Sequence, residues 1–200
     1  MTPTALVDAA FTANTEIAIA PIQIRSEIAQ LLAYVAAERP RRVLEIGTSS
    51  GGTLYFFAWA SASNAWILSL DVREYDRQRR LLFRSFARRR QRVAVCRADS
   101  QLPETRALVE AFFAGAPVDF LFVDGDHVYE SARRDYELYA PLVRPGGLIA
   151  FHDIVDGPEE HVGGVPRLWR ELREELDDPR ELVESWDQGG YGIGLGRRRA

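Results

Sequence analysis

The sequence predicts an α/β protein built on a doubly wound, mostly parallel sheet, and two observations carry the prediction. Short apolar runs alternate with helix-period segments along the chain with little filler between them. The runs are apolar throughout instead of alternating, as strands covered by helices on both faces require. Residues 22–38 place Ile24, Ile28, Leu31, Leu32 and Val35 at helical spacing, and Pro40 closes that element. RVLEIG (42–47) is a strand ended by glycine, and the following GTLYFFAWASA, apolar on every side, is a buried helix. Strand AWILSLD (65–71), an Arg-rich helix over 75–90 and strand RVAVCRA (92–98) come next. Helix 103–114, strand VDFLFVD (118–124), helix 129–142 and strand GLIAFHD (147–153) continue the rhythm. A helix over 165–176, with Pro166 in its first turn, leads to ELVESW, Gly189-Gly190 and YGIGLG, which read as a terminal hairpin.

Composition narrows the function. Two hundred residues, 46% hydrophobic with four Trp and ten Phe, fill the core of one domain, and neither a repeat nor a linker interrupts them. The net charge of -4 argues against general nucleic-acid or anionic-membrane partners, although all 25 basic residues are arginine. RQRRLLFRSFARRRQR (77–92) interleaves basic and apolar residues, and is read as a solvated helix face whose Leu81, Leu82, Phe83 and Phe86 pack on the sheet. The single Cys96 lies in an apolar run and reads as a core residue, with no disulfide to form. No signal-like or membrane-spanning stretch is present, so a cytoplasmic protein is expected. The short chain and apolar N-terminal segment make a homodimer an open expectation.

In such sheets ligands sit beyond the carboxyl ends of the strands, beside the first strand. LEIGTSSGG occupies that place, with Gly47 and Gly51 allowing close backbone approach and Gly51-Gly52 opening the next helix, whose N–H groups attract an anion. Asp71, ending the next strand, suits ribose hydroxyls, the alternative being a helix cap. Ser49 stands where a dinucleotide fingerprint prefers glycine, and Glu45 is an acid inside the first strand, which argues against NAD. The acidic rim of Glu45, Asp71 and Asp99 suits a ligand carrying positive charge, such as the sulfonium and α-amino acid end of S-adenosylmethionine.

VLEIGTSSGGT, Asp71, RADS and LVRPGGLIAFHD, in this order and spacing, resemble the successive motifs of class I S-adenosylmethionine-dependent methyltransferases. FLFVDGDHVYESARRDYELYAPLVRPGGLIAFHDI resembles the branch holding cephalosporin hydroxylase-type proteins and macrolide-sugar O-methyltransferases. The resemblance spans residues 25–197, leaving 1–22 as an N-terminal extension, and implies a Rossmann-like, seven-stranded sheet with an antiparallel last strand. It implies that Glu45, Gly47, Thr48, Ser49 and Gly51 hold the methionine end of the cofactor, Asp71 the ribose, and Asp99 and Ser100 the adenine, with Asp124 at the same edge.

In that sheet Asp124 and Asp153 end neighbouring strands about 4.8 Å apart. Two carboxylates so close repel unless they share a proton or a cation, and a divalent ion, Mg²⁺, resolves the conflict. Asp124 and Asp153 match the ligand positions of the metal-dependent relatives; the third ligand there is an acid, and this chain has His152. His127 matches the catalytic-base position of the macrolide-sugar enzymes, its bland alternative being a capping or hydrogen-bonded loop residue. His152 reads equally as ligand, second base or pocket wall, and His161 as exposed loop. Residues 155–164 read as a mobile cover or an ordinary surface connection, and the N-terminal 20 residues as packing over the pocket or on a partner subunit. The expected function is methyl transfer from S-adenosylmethionine to a small-molecule acceptor, at a hydroxyl. The alternatives are an NAD-type oxidoreductase on the same fold and a cofactor-binding protein without catalysis.

Overall fold

The apolar runs become strands because each sends alternate side chains into two separate cores. In the computed structural model, which describes residues 1–12, 19 and 22–200, the strands are β1 (Arg42–Ile46), β2 (Trp66–Asp71), β3 (Arg92–Arg97), β4 (Val118–Val123), β5 (Val143–His152), β6 (Asp177–Leu182) and β7 (Ile193–Arg197). They form one sheet in the order β3-β2-β1-β4-β5-β7-β6, parallel except for β7, which runs antiparallel to both its neighbours. The doubly wound architecture and the reversed last strand are as the sequence predicts.

The helices are α1 (Pro3–Thr12), α2 (Arg25–Glu38), α3 (Gly52–Ala60), α4 (Arg77–Ser85), α5 (Pro103–Phe112), α6 (Tyr129–Tyr139), α7 (Glu159–Val162) and α8 (Val165–Leu172). Val43, Phe120 and Phe122 point toward Ile28 and Leu31 of α2, Phe57 of α3 and Phe83 of α4. Leu44, Leu121 and Ile149 point the other way, toward Val109 of α5, Tyr139 of α6 and Trp169 of α8. Burial of both faces is what removes the polar–apolar alternation from these strands. Among the described residues no helix is long and apolar enough to cross a membrane.

Three local readings change. The N-terminal segment contains a helix, α1, whose buried Leu6 and Val7 join the core formed by α2 and α3. The Arg-rich helix is shorter, begun by an Asp76 cap that accepts from the Arg79 amide at 2.7 Å, and Leu81 is 53% exposed while Phe83 and Phe86 are buried. The predicted helix over 165–176 stops at Leu172, and DDPREL becomes β6. That strand pairs antiparallel with β7 as the predicted hairpin requires, but starts at Asp177, ahead of ELVESW. It is exposed at every residue but Leu182 and carries Pro179, which a sheet tolerates at its edge and which hides the strand's start from a pattern search.

Candidate functional site

Parallel pairing delivers the candidate residues to one edge. Ile46 is level with Val123 and Val123 with Phe151, so Gly47, Asp124 and His152 emerge together at the carboxyl ends of β1, β4 and β5. The ladder continues past the strands, with the Gly47 amide on the Leu70 carbonyl at 2.9 Å and the Asp124 amide on the Ile46 carbonyl at 2.8 Å. Gly47 has φ 95°, and a Cβ there would lie 1.8 Å from the Asp124 carbonyl oxygen. Gly51 has φ 87°, and its Cβ would meet the Phe83 ring at 2.4 Å. The close approach these glycines permit is therefore, in the first instance, to the chain's own atoms.

Asp71 accepts from the amides of Thr48 and Ser49 at 3.0 Å each and from the Tyr75 hydroxyl at 2.7 Å, all on Oδ2, while Oδ1 takes the Arg73 amide at 2.8 Å. Burial pushes this carboxyl up, but these donors outweigh it and hold the group below its ordinary range. Asp71 thus fastens the glycine loop. The cap of α4 is Asp76. Asp99 is exposed and binds the Gln101 amide at 2.9 Å, and the Ser100 carbonyl accepts from Tyr139 at 2.6 Å. Asp71, Asp99, Ser100 and Asp124 line a cavity of about 380 Å³. It adjoins a second of about 520 Å³, with Gly47, Ser49, Arg73, Asp124 and Gly125 common to both.

Below the loop, Glu45 is fully buried, and Thr48 Oγ1 lies 2.6 Å from Ser69 Oγ, which donates to Glu45 Oε2. Glu45 Oε1 accepts no close hydrogen bond among the described residues; burial pushes the carboxyl up to about 8, against the Ser69 and Thr53 hydroxyls, which favour its ionised form.

The larger cavity holds both strand-end histidines. His152 Nδ1 lies 3.3 Å from Asp124 Oδ1 and 3.1 Å from Asp153 Oδ2, and ligand atoms of these three residues lie within 4.8 Å of one another. His127 Nε2 lies 3.2 Å from Asp153 Oδ2 and 3.8 Å from Asp124 Oδ1. Asp153, at φ 62°, sits in the left-handed region, which aspartate tolerates better than most residues. Burial alone would raise the Asp124 carboxyl; His152 and then His127 reverse that and hold it low. His127 is raised above the ordinary imidazole range, chiefly by Asp124 against the effect of burial, with Asp153 adding to it. Burial pulls His152 down, yet Asp124 and Asp153 outweigh it and push the ring up to about 10.

Several residues around the cavity carry no sequence signal of their own. Gln23 Nε2 donates to Asp124 Oδ2 at 3.1 Å, and the Tyr191 amide to Asp153 Oδ1 at 3.2 Å. Glu27, buried in α2, accepts from the Glu184 amide at 3.0 Å, Gln188 Nε2 at 2.8 Å and the Gly192 amide at 3.0 Å, anchoring the β6–β7 loop that forms one wall. From the segment 155–164, Pro158, His161 and Val162 line the cavity; the His161 carbonyl receives His127 Nδ1, and the Gly164 amide donates to the His127 carbonyl at 2.8 Å. His161 is exposed as expected, but it lies in the short helix α7 instead of a loop and contributes through its backbone carbonyl. Only the tertiary fold brings these groups to the strand ends.

The chain has relatives in sequence and in structure. The uncharacterized protein y4gI of Sinorhizobium fredii is 31% identical over 146 residues, which is 69% of this chain and 16% of that protein. The chain spans less than a fifth of the length of the curated relatives it matches. The O-methyltransferase TomG from Streptomyces achromogenes, involved in tomaymycin synthesis and solved with SAM, superposes with a TM-score of 0.60 at 19% identity, over 99% of this chain and 90% of that one. The MycE methyltransferase of the mycinamycin biosynthetic pathway, solved with Mg and SAH, gives 0.62 at 18% identity, over 100% of this chain and 54% of that one. At such identities the likeness establishes a common fold. Residues 44–154 match a family model described as a methyltransferase domain. That match takes in just over half of the chain, from within β1 to just beyond β5, and the protein belongs to this methyltransferase-domain family.

Proposed function

We propose that the protein transfers a methyl group from S-adenosylmethionine to a hydroxyl of a small-molecule acceptor. The observation that carries this reading is the pair of cavities meeting at Gly47 and Asp124, one edged by Asp71, Asp99 and Ser100, the other by His127 and Asp153. The residues fit the cofactor. The acidic lining of Asp71, Asp99 and Asp124 suits a sulfonium cation, and Glu45, which lines neither cavity, would act on the ammonium group from beneath the loop through Ser69 and Thr48. Gly47, Thr48, Ser49 and Gly51 would cradle the methionine end, Asp71 would offer Oδ1 to the ribose, and Asp99 and Ser100 would flank the adenine. The cofactor supplies the electrophilic methyl group. The protein's share is to align the acceptor and remove its proton.

His127 is the residue proposed for that proton. Its Nδ1 donates to the His161 carbonyl, which directs Nε2 toward Asp153 and the cavity. Asp153 stabilises the imidazolium that forms. The Mg of MycE favours a metal-assisted version at Asp124, His152 and Asp153. The donor set argues the other way, since Mg²⁺ takes oxygen ligands and one of the three donors is an imidazole nitrogen.

Calorimetry tests the reading: S-adenosylmethionine should bind in the micromolar range and NAD should not, and incubation with hydroxylated acceptors should release S-adenosylhomocysteine. Binding of NAD in place of S-adenosylmethionine would overturn it.

Glu45→Gln should separate stability from affinity. Between the unfolded carboxyl value of 4.5 and about 8, folded Glu45 keeps a proton that the unfolded chain releases, so its contribution to stability falls as pH rises through that window. Glutamine carries no such penalty. At pH 8 the variant should gain about 2 kcal/mol, or roughly 4–8 °C in Tm, while S-adenosylmethionine binds about tenfold more weakly. Thermal melts at pH 5 and pH 8 check the sign, because the gain should shrink at the lower pH.

A further inference from the structure

We propose that His152 takes the place of a divalent cation at this edge: its Nδ1–H joins Asp124 to Asp153, and the site works without bound metal. The catalytic half of this inference rests on the O-methyltransferase reading; the statement about metal rests on the geometry alone.

All four oxygens of the carboxylate pair already face a donor of the chain. Asp124 Oδ1 has His152 Nδ1 at 3.3 Å and Oδ2 has Gln23 Nε2 at 3.1 Å. Asp153 Oδ1 has the Tyr191 amide at 3.2 Å, and Oδ2 has His152 Nδ1 at 3.1 Å, joined by His127 Nε2 at 3.2 Å only when that ring is protonated. The repulsion that makes such a pair recruit a cation is therefore answered from within. A Mg²⁺ ion needs about 2.1 Å to each oxygen and near-octahedral geometry, and His152 Nδ1, close to an oxygen of each carboxylate, stands where it would have to enter.

The ring cannot easily step aside. His152 is 5% exposed, paired with Ile193 of β7 and edged by the Tyr191 ring at 6.1 Å between centroids. Nor is it prepared as a ligand. A metal-bound imidazole almost always donates its second N–H to a carboxylate or carbonyl, and His152 Nε2, also buried, has no partner among the described residues. By fixing Asp153, His152 acts as a positioning residue for His127.

Metal dependence is the readout that a merely structural histidine would not move. Wild-type protein should purify without stoichiometric divalent metal by elemental analysis, keep its Tm in millimolar Mg²⁺ or Mn²⁺, and turn over equally with and without EDTA. His152→Glu restores an all-oxygen set and should gain a saturable Tm rise of about 5 °C or more in millimolar Mg²⁺, with turnover becoming EDTA-sensitive. Stoichiometric metal in the wild-type protein, a wild-type Tm raised by Mg²⁺ or Mn²⁺, or EDTA-sensitive wild-type turnover would overturn the proposal. So would a folded His152→Glu chain indifferent to Mg²⁺. Should that variant not fold, the wild-type metal titration decides alone. Absence of turnover on every acceptor would count against the O-methyltransferase reading while leaving the metal result intact.

Discussion

Replacing His127 with alanine should lower the rate of methyl transfer by about 10²-fold or more near neutral pH while S-adenosylmethionine affinity stays nearly unchanged. The expectation follows from placement. The ring edges the larger cavity, its Nδ1 is committed to the His161 carbonyl, and Nε2 faces Asp153 at 3.2 Å. Asp71, Asp99 and Ser100, proposed to contact ribose and adenine, line the other cavity, so the cofactor keeps its partners in the variant. Wild-type kcat should depend on pH in a direction the electrostatics set. Asp124 and Asp153 favour the protonated ring, so the basic form accumulates only as pH rises through a value above 6.5. Turnover should climb along a limb with its midpoint above 6.5, and the limb should vanish in His127→Ala. A variant that loses cofactor affinity as much as rate would make His127 a pocket wall instead.

The sheet was legible because burial on both faces leaves a signature in the strands themselves: Val43, Leu44 and Ile46, or Phe120 through Val123, admit few polar residues. Asp124, His152 and Asp153 could be placed together from the same pattern, since parallel neighbours must end at one edge. What the pattern does not encode is what each carboxylate touches. Asp71 reads as a ribose ligand, yet three donors converge on its Oδ2, one of them Tyr75 from the following loop. Gln23 and Glu27 stand before the first strand, and no local period distinguishes them from surface residues. Only the return of the β6–β7 loop over α2 gives Glu27 its three donors. The terminal hairpin was legible from its turn and from β7, but the start of its first strand, β6, at Asp177, before ELVESW, was not, because an exposed edge strand with a proline has neither the apolar run nor the alternation that marks a strand.

Gly47→Ala should be the most damaging single-methyl change at this edge. The added Cβ would sit 1.8 Å from the Asp124 carbonyl oxygen, and both partners are backbone, so no rotamer change relieves the overlap. The φ of 95° adds strain for any residue with a side chain. Separating the two tips would break the Gly47–Leu70 and Asp124–Ile46 hydrogen bonds and withdraw Asp124 from His152. A cost of about 3–5 kcal/mol, or roughly 6–20 °C in Tm, is expected, with S-adenosylmethionine binding lost. Gly115→Ala serves as the control, because Gly115 has φ 72° with nothing within 4 Å of its would-be Cβ and so reports strain alone, about 1–2 kcal/mol. Equal losses in the two variants would mean that the β1 and β4 tips tolerate a methyl group between them, and that Gly47 owes its place to backbone conformation and not to the contact that brings the two cavities together.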